Sequence, residues 1–80
     1  MILKPISTEK AVMMIESENV LVFSTNMKET KESIKKEVET LFDVKVVKVR
    51  TLLKSNKKYA YVKLNKESPA IDVASKLGLI

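Results

Sequence analysis

The sequence predicts a small α+β sandwich, in which helices pack on an antiparallel sheet of three to four strands. Three observations support this prediction. Some segments place apolar residues at helical spacing, other short segments are β-branched or alternating, and the two kinds follow the order helix, strand, helix, strand, strand, helix. A chain of 80 residues has room for one thin core, so residues 1–80 are expected to form a single domain.

The N-terminal part of the chain predicts a helix followed by a strand. Ser7 or Thr8 is a suitable cap for a helix that continues to about Glu16. The apolar residues on one face of this helix are Ala11, Met14 and Ile15. Residues 20–25 are mostly aliphatic and are followed by the turn-prone Asn26, which indicates a largely buried strand.

A second helix is predicted over residues 31–42, with Thr30 as its cap. Glu32 and Lys36 are four residues apart, in the order that favours a helix. The apolar residues fall at i, i+4, i+7 and i+8, and they are Ile34, Val38, Leu41 and Phe42. This spacing is typical of an amphipathic helix.

Residues 44–54 and 58–64 predict a β-hairpin, joined through the turn-forming residues Ser55–Lys58. Alternation along the first strand separates Val47, Val49, Thr51 and Leu53 from Val46, Lys48, Arg50 and Leu52. Alternation along the second strand separates Ala60, Val62 and Leu64 from Tyr59, Tyr61 and Lys63. With helices on one side of the sheet, Lys48, Arg50 and Lys63 are expected on the opposite face, and Tyr59 and Tyr61 share a face with Lys63.

The C-terminal part predicts a third helix. Ser68 followed by Pro69 suggests a cap and a first helical residue, and Gly78 is expected to end the helix. The apolar stripe comprises Ala70, Val73, Ala74 and Leu77. Leu79 and Ile80 are expected to pack against the domain.

The order of the elements also predicts how the strands connect. A right-handed crossover joins the strand at residues 20–25 to the first hairpin strand, and the second hairpin strand can lie between them. This arrangement is a split βαβ unit. Ile2–Lys4, ahead of Pro5, is a candidate additional edge strand.

The positive charge of the chain is concentrated in one segment. The chain has 15 basic and 10 acidic residues, a net charge of +5. Residues 44–66 contain eight basic residues and no acidic one. Charge of one sign on two predicted strands indicates a surface for a polyanion, with nucleic acid as the first candidate. A solvated sheet face kept soluble by lysines is the alternative, and the residues alone leave both open.

The composition makes most kinds of active site improbable. Cysteine and histidine are absent, which excludes disulfides, thiolate nucleophiles, imidazole bases and the usual zinc sites. The single glycine cannot form a glycine-rich phosphate loop. We therefore expect no catalytic residue, metal, cofactor or small-molecule substrate. The longest apolar run is Ala11–Ile15, too short to span a membrane, and a cytoplasmic protein without membrane insertion is expected.

Four blocks of the sequence resemble the ribosomal protein L23 family of the large subunit. They are KPISTEKA at 4–11, TK at 30–31 with IKKEVE at 34–39, LFDVKVVKVRTL at 41–52 and YAYVKL at 59–64. The resemblance runs over essentially the whole chain, and the four blocks occur in the right order. The short length without a basic extension resembles the archaeal form.

This resemblance implies a ribosome-bound, non-catalytic protein that binds large-subunit rRNA near the mouth of the polypeptide exit tunnel. It implies neighbouring ribosomal proteins as partners, and the signal recognition particle and the protein-conducting channel as docking factors. Glu9 matches the glutamate of the family's Ser-Glu-Lys block, which contributes to factor binding. Its simpler role is that of a first-turn acid that stabilises the helix dipole.

Nine basic residues are expected to contact rRNA phosphates: Lys28, Lys31, Lys45, Lys48, Arg50, Lys54, Lys57, Lys58 and Lys63. Arg50 stands where family members commonly have Asn, and Glu29–Ser33 lacks a frequent helix-starting Pro. The turn at Ser55–Lys58 is too short to reach into the tunnel. Two other hypotheses remain: a basic module that binds an acidic protein, and an enzyme on a ferredoxin-like scaffold.

Overall fold

The computed structural model describes residues 3–79 of the chain. Within this range the chain forms four strands and three helices. They are β1 (Lys4–Pro5), α1 (Glu9–Glu18), β2 (Val20–Thr25), α2 (Lys31–Phe42), β3 (Val46–Lys54), β4 (Lys57–Leu64) and α3 (Ala70–Lys76). The predicted α+β class and the predicted order of elements are confirmed.

The four strands form one antiparallel sheet in the order β1-β2-β4-β3. Strand β4 pairs antiparallel with both β2 and β3, so β2 and β3 run parallel on either side of it. This is the predicted split βαβ unit, with α2 as the crossover. The edge strand is displaced from its predicted position: Lys4 and Pro5 pair with Ser24 and Phe23, whereas Ile2 lies outside the described residues.

The hairpin turn is shorter than predicted. Lys54 pairs with Lys57, which leaves only Ser55 and Asn56 in the turn. Both turn residues have positive φ, 51° and 62°, as a type I′ turn requires. Strand β4 consequently begins at Lys57, one residue before the predicted start.

A β-bulge at the start of β3 changes the predicted alternation. The register shifts between Val46 and Lys48, so Val47 is the extra residue. Val46 is only 6% exposed and belongs to the core with Val49, while Val47 is 59% exposed. The prediction that Val47 shares a face with Val49 is therefore wrong. One inserted residue inverts a pattern whose period is two.

The caps of α1 and α2 follow the sequence closely. Thr8 Oγ1 accepts from the Ala11 N–H at 3.2 Å, and α1 continues to Glu18, two residues beyond its predicted end. At α2, Thr30 Oγ1 accepts from the Ser33 N–H and Ser33 Oγ accepts from the Thr30 N–H, each at 3.1 Å. This reciprocal pair is a capping box with Ser33 in the usual place of Glu or Gln.

Helix α3 is capped by a residue far away in the sequence. The predicted cap and start at Ser68 and Pro69 are wrong, because the helix begins at Ala70 and Pro69 is its cap residue without a side-chain cap. The Oδ1 of Asn19 accepts from the Ala70 N–H at 2.6 Å instead. Ser68 Oγ accepts from the Lys45 N–H at 3.3 Å.

The end of α3 agrees with the role predicted for Gly78. Its φ is +75°, and the Leu79 N–H donates to the Ala74 carbonyl at 2.9 Å, which closes the helix. Leu79 packs against the core, as predicted. Ile80 lies outside the described residues.

The core lies between the sheet and the helices. Helix α2 packs on β3 and β4, while α3 contacts β2 and α1. The largest fully buried side chains are Phe23, Leu21, Ile34, Leu64, Val38, Val62 and Val73. Phe42 stacks on Phe23 with ring centroids 6.2 Å apart, whereas Leu41, placed by periodicity on the apolar face, is 48% exposed. None of the helices described over residues 3–79 has the length and apolar character of a membrane span.

Candidate nucleic-acid interface

The strand register determines which side chains share the sheet face opposite α2. Directly paired residues of antiparallel strands point to the same face. Lys63 of β4 pairs with Val20 and Lys48, Tyr61 with Val22 and Arg50, and Tyr59 with Ser24 and Leu52. We call this surface the open face. Its central row of Lys63, Tyr61 and Tyr59 agrees with the sequence prediction.

Three exposed cations lie together on the open face, and we call Lys48, Arg50 and Lys63 the cationic cluster. Lys48 and Lys63 are directly opposite each other, an arrangement that destabilises a sheet unless an anion lies near both. Arg50 lies over the Tyr61 ring, with its Cζ 5.7 Å from the ring centroid. The cluster therefore places three positive charges side by side on one face of the sheet.

The cationic cluster borders a recess of about 230 Å³ that Val20, Tyr61 and Glu18 also line. Glu18 is the last residue of α1, and it adds one carboxylate to a recess with three cations. The recess keeps an excess of positive charge. Glu18 is not among the predicted site residues, because nothing in the sequence shows that α1 ends beside β3 and β4.

Helix α1 borders the open face as well as the core: Ile15 belongs to the core cluster, while Ala11 and Met14 face the other side. Val20 and Val22 lie on this face but are only 3% and 6% exposed. Ala11 and Met14 of α1 line a groove of about 430 Å³ together with Val22 and both tyrosines. This helix contacts β2, which pairs with β4 along its whole length but with β1 only at Phe23 and Ser24.

The groove also contains residues that the sequence analysis did not select. Ile6 and Leu52 add apolar surface, while Lys10 and Lys54 add positive charge. Lys54 was among the predicted phosphate ligands, whereas Lys10 was not. A groove formed by an N-terminal helix and a distant hairpin leaves no signal in local sequence.

The hairpin end of the sheet holds the next group of predicted residues. Lys57 is exposed and follows the turn. Lys58 is half-buried on the α2 side of the sheet, and its Nζ donates to the Glu29 carbonyl. This bond holds the segment with the exposed residues Lys28 and Lys31 beside the start of β4.

Lys45 lies at the other end of the sheet. The carbonyl of Lys45 accepts from the Asn65 N–H at 2.9 Å, and its side chain is exposed. The nine predicted basic residues are thus divided among the open face, the hairpin end and this far end. Only Lys48, Arg50 and Lys63 line one common recess.

Glu9 is the first residue of α1 and is exposed. It follows the cap residue Thr8 and lies in the first turn, where a carboxylate also stabilises the helix dipole. Its position leaves the side chain accessible to another molecule. Glu9 and the cationic cluster lie on separate elements, α1 and the hairpin.

Comparison with known proteins identifies the family. The family profile described as "Ribosomal protein L23" matches residues 1–72. A protein of Picrophilus torridus named "Large ribosomal subunit protein uL23" is 46% identical over 78 residues, which cover 98% of this chain and 95% of that relative. The resemblance found in the four sequence blocks is confirmed. This chain therefore belongs to the ribosomal protein L23 family, whose members have a structural role in the ribosome.

Proposed function

We propose that the protein is a constituent of the large ribosomal subunit and binds large-subunit rRNA near the polypeptide exit tunnel. The main support from the geometry is the cationic cluster, because Lys48 and Lys63 are paired across two strands that contain no acidic residue. Family membership supports rRNA as the polyanion. The relative from Picrophilus torridus is named as a large-subunit protein, which supports the same subunit for this chain.

Binding would be mainly electrostatic. The cationic cluster holds backbone phosphates, and Lys54 and Lys57 extend the positive surface along the hairpin. Lys28, Lys31 and Lys45 are exposed and would contact phosphates at the two ends of the sheet. Lys58 would contribute mostly by fixing the segment near Glu29, because its ammonium group is engaged there.

The second part of the proposal concerns protein partners. Glu9 and the exposed surface of α1 would form part of a docking site for factors that meet nascent chains, such as the signal recognition particle and the protein-conducting channel. The exposure of Glu9 and its separation from the cationic cluster support this role. Neighbouring ribosomal proteins would contact other parts of the domain, and the protein would act on the ribosome in the cytoplasm without catalysing a reaction.

The dependence of rRNA affinity on salt tests the electrostatic mechanism. If five residues contact phosphates, the slope of log affinity against log salt should be about −4, since each contact contributes roughly −0.7 to −0.9. A filter-binding titration of purified protein with large-subunit rRNA measures this slope. Affinity that does not change with salt would contradict the mechanism.

Sedimentation distinguishes rRNA from an acidic protein as the partner. The native protein should sediment with large ribosomal subunits and copurify with nucleic acid. Sedimentation with an acidic protein alone, free of ribosomal subunits, would favour the protein-interaction hypothesis. Washing the subunits at high salt should release the protein, because counterions compete for the phosphates.

A further inference from the structure

The groove between α1 and the tyrosines of β4 is large enough for a small ligand and has a mixed apolar, aromatic and basic lining. Its volume is about 430 Å³, within the roughly 300–1,000 Å³ that small-molecule sites occupy. Ala11 and Met14 line one side and the half-buried Tyr59 and Tyr61 line the other. Val22, which is nearly fully buried, lies between them. A double-helical RNA backbone would leave this apolar concave surface unfilled.

Tyr61 connects the groove to the cationic cluster. The residue lines both the groove and the recess that contains Lys48, Arg50 and Lys63. Lys10 and Lys54 line the groove itself. A planar group in the groove would therefore have cations on both sides, at positions where the two phosphates that flank a nucleoside could bind.

We infer that the groove receives one unpaired nucleobase of an RNA strand, while the cationic cluster holds an adjacent phosphate. Unpaired bases expose aromatic faces that stack on tyrosine, whereas bases in a duplex are already stacked and paired. This inference rests on the proposed RNA-binding function and specifies the kind of RNA that the open face takes. The protein would thus bind a site where rRNA is locally single-stranded.

The charge of the site favours RNA as the occupant. Five cations line the groove or the adjoining recess, and Glu18 is the one acidic residue among the residues that line them. An acidic peptide would neutralise the cations. Its carboxylates, however, provide no aromatic ring to stack on the tyrosines. A nucleotide carries the ring and the negative charge in one unit.

The two groove tyrosines allow a direct test, because they are the only tyrosines of a chain without tryptophan. Three probes are used: a short single-stranded RNA, the same strand with abasic positions, and a blunt RNA duplex. The intact strand should quench tyrosine emission and bind about tenfold more tightly than the abasic strand, because stacking is lost without bases. The duplex should bind through phosphates without quenching.

Paired variants separate stacking from charge. Tyr59→Leu should lower affinity for the intact strand towards that for the abasic strand and leave duplex affinity unchanged, because Tyr59 lines the groove but not the recess of the cationic cluster. Tyr59→Phe with Tyr61→Phe keeps the rings and should keep the affinity. The double variant Lys48→Ala and Lys63→Ala should lower the affinity for all three RNA probes. The Phe variant and the abasic strand keep the test decisive if the Leu variant fails to fold.

The outcomes distinguish this inference from the proposed function. Equal affinity for intact and abasic strands, or unchanged tyrosine emission at saturation, would overturn the inference while RNA binding stands. Failure of all three RNAs to bind at low salt would overturn both. A polyglutamate peptide that quenches the tyrosines while no RNA binds would assign the site to an acidic protein.

Discussion

Individual basic residues of this protein have different roles, although they are equivalent in sequence. Lys57 and Lys58 are neighbours at the start of β4, but alternate side chains of a strand point to opposite faces. Lys57 is exposed, whereas Lys58 is half-buried and bonded to the Glu29 carbonyl. Charge reversal at these two positions should therefore have different consequences.

Replacement of Lys57 by Glu should weaken rRNA binding without unfolding the protein. One phosphate contact is lost and the salt slope should become shallower by about 1. Lys58→Glu should also lower the free energy of unfolding by about 1 kcal/mol, because the bond to Glu29 is lost at a half-exposed site. Salt titrations and urea melts of both variants measure these effects. Equal stability of the two variants would contradict the structural role of Lys58.

Asn19 is the residue whose side chain makes the most long-range hydrogen bonds. Its Nδ2 donates to the carbonyls of Leu64 and Asn65 at 3.1 Å and of Ser68 at 3.3 Å, while Oδ1 accepts from the Ala70 N–H. The residue also ends α1 with φ of 57°, a conformation that Asn tolerates well. One side chain therefore joins α1, the end of β4 and the start of α3.

Asn19→Ala should lower the free energy of unfolding by about 2–3 kcal/mol, because partly buried backbone groups lose their partners. Asn19→Gly keeps the positive φ accessible, so its loss of unfolding free energy should be somewhat smaller. Asn65→Ala is a matched control, since the Asn65 side chain accepts only from the exposed Glu67 N–H. Urea denaturation of the three variants gives the comparison. A loss at Asn19 no larger than at Asn65 would disprove the bridging role.

Among the elements, the hairpin turn forms although its sequence, Ser55-Asn56, is not the one that this type of turn favours. Ser55 and Asn56 both adopt positive φ, where Asn and Gly are the favoured residues. Serine has no particular preference for this conformation. The turn is therefore imposed by the register of β3 and β4, whose pairing extends to Lys54 and Lys57.

The substitutions Ser55→Asn and Asn56→Gly together should stabilise the protein by about 1 kcal/mol, because they remove strain from left-handed conformations. Thermal and urea melts measure the gain. Asn26→Gly serves as the control: Asn26 does not have positive φ, and its side chain accepts from the Lys28 N–H at 3.2 Å. That change should destabilise the protein, and a gain in both variants would argue against the turn-specific explanation.

At the scale of the whole molecule, the cationic cluster and Glu9 divide the domain between two proposed partners. The cluster lies on the hairpin, and Glu9 begins the helix that precedes β2. Glu9 and Glu18 lie at opposite ends of α1, and only Glu18 borders the recess of the cationic cluster. Variants on one surface should then leave the other function intact.

Glu9→Lys should leave assembly into large subunits unchanged and weaken factor recruitment, since the charge of the docking surface is reversed. Cosedimentation of mutant ribosomes with signal recognition particle measures recruitment, and subunit profiles measure assembly. Lys57→Glu is the opposite control, because it should affect rRNA affinity but not the docking surface. Equal recruitment by wild-type and Glu9→Lys ribosomes would contradict the proposed role.

Much of the architecture can be predicted from local sequence, because helices and strands have different apolar periodicities. The Thr30 cap, the alternation of β4 and the burial of Ile34 and Val38 on α2 follow from local patterns and were predicted correctly, whereas Leu41 of the same stripe is exposed. Chain connectivity then leads to the split βαβ unit, since crossovers are right-handed. The charge excess of residues 44–66 is likewise a property of the sequence alone.

Tertiary structure decided the features that depend on contacts between distant residues. Asn19 replaces Ser68 as the cap of α3 across 51 residues, and the bulge at Val47 exchanges the faces at the start of β3. The groove exists because α1 packs beside β2 and leaves a space between its own residues and Tyr59 and Tyr61. Periodicity reports the spacing of apolar residues along one segment, so it determines whether that segment forms a helix or a strand. Which elements meet depends on packing between distant parts of the chain. Packing of α1 beside the hairpin places the cationic cluster next to a groove lined by Tyr59 and Tyr61.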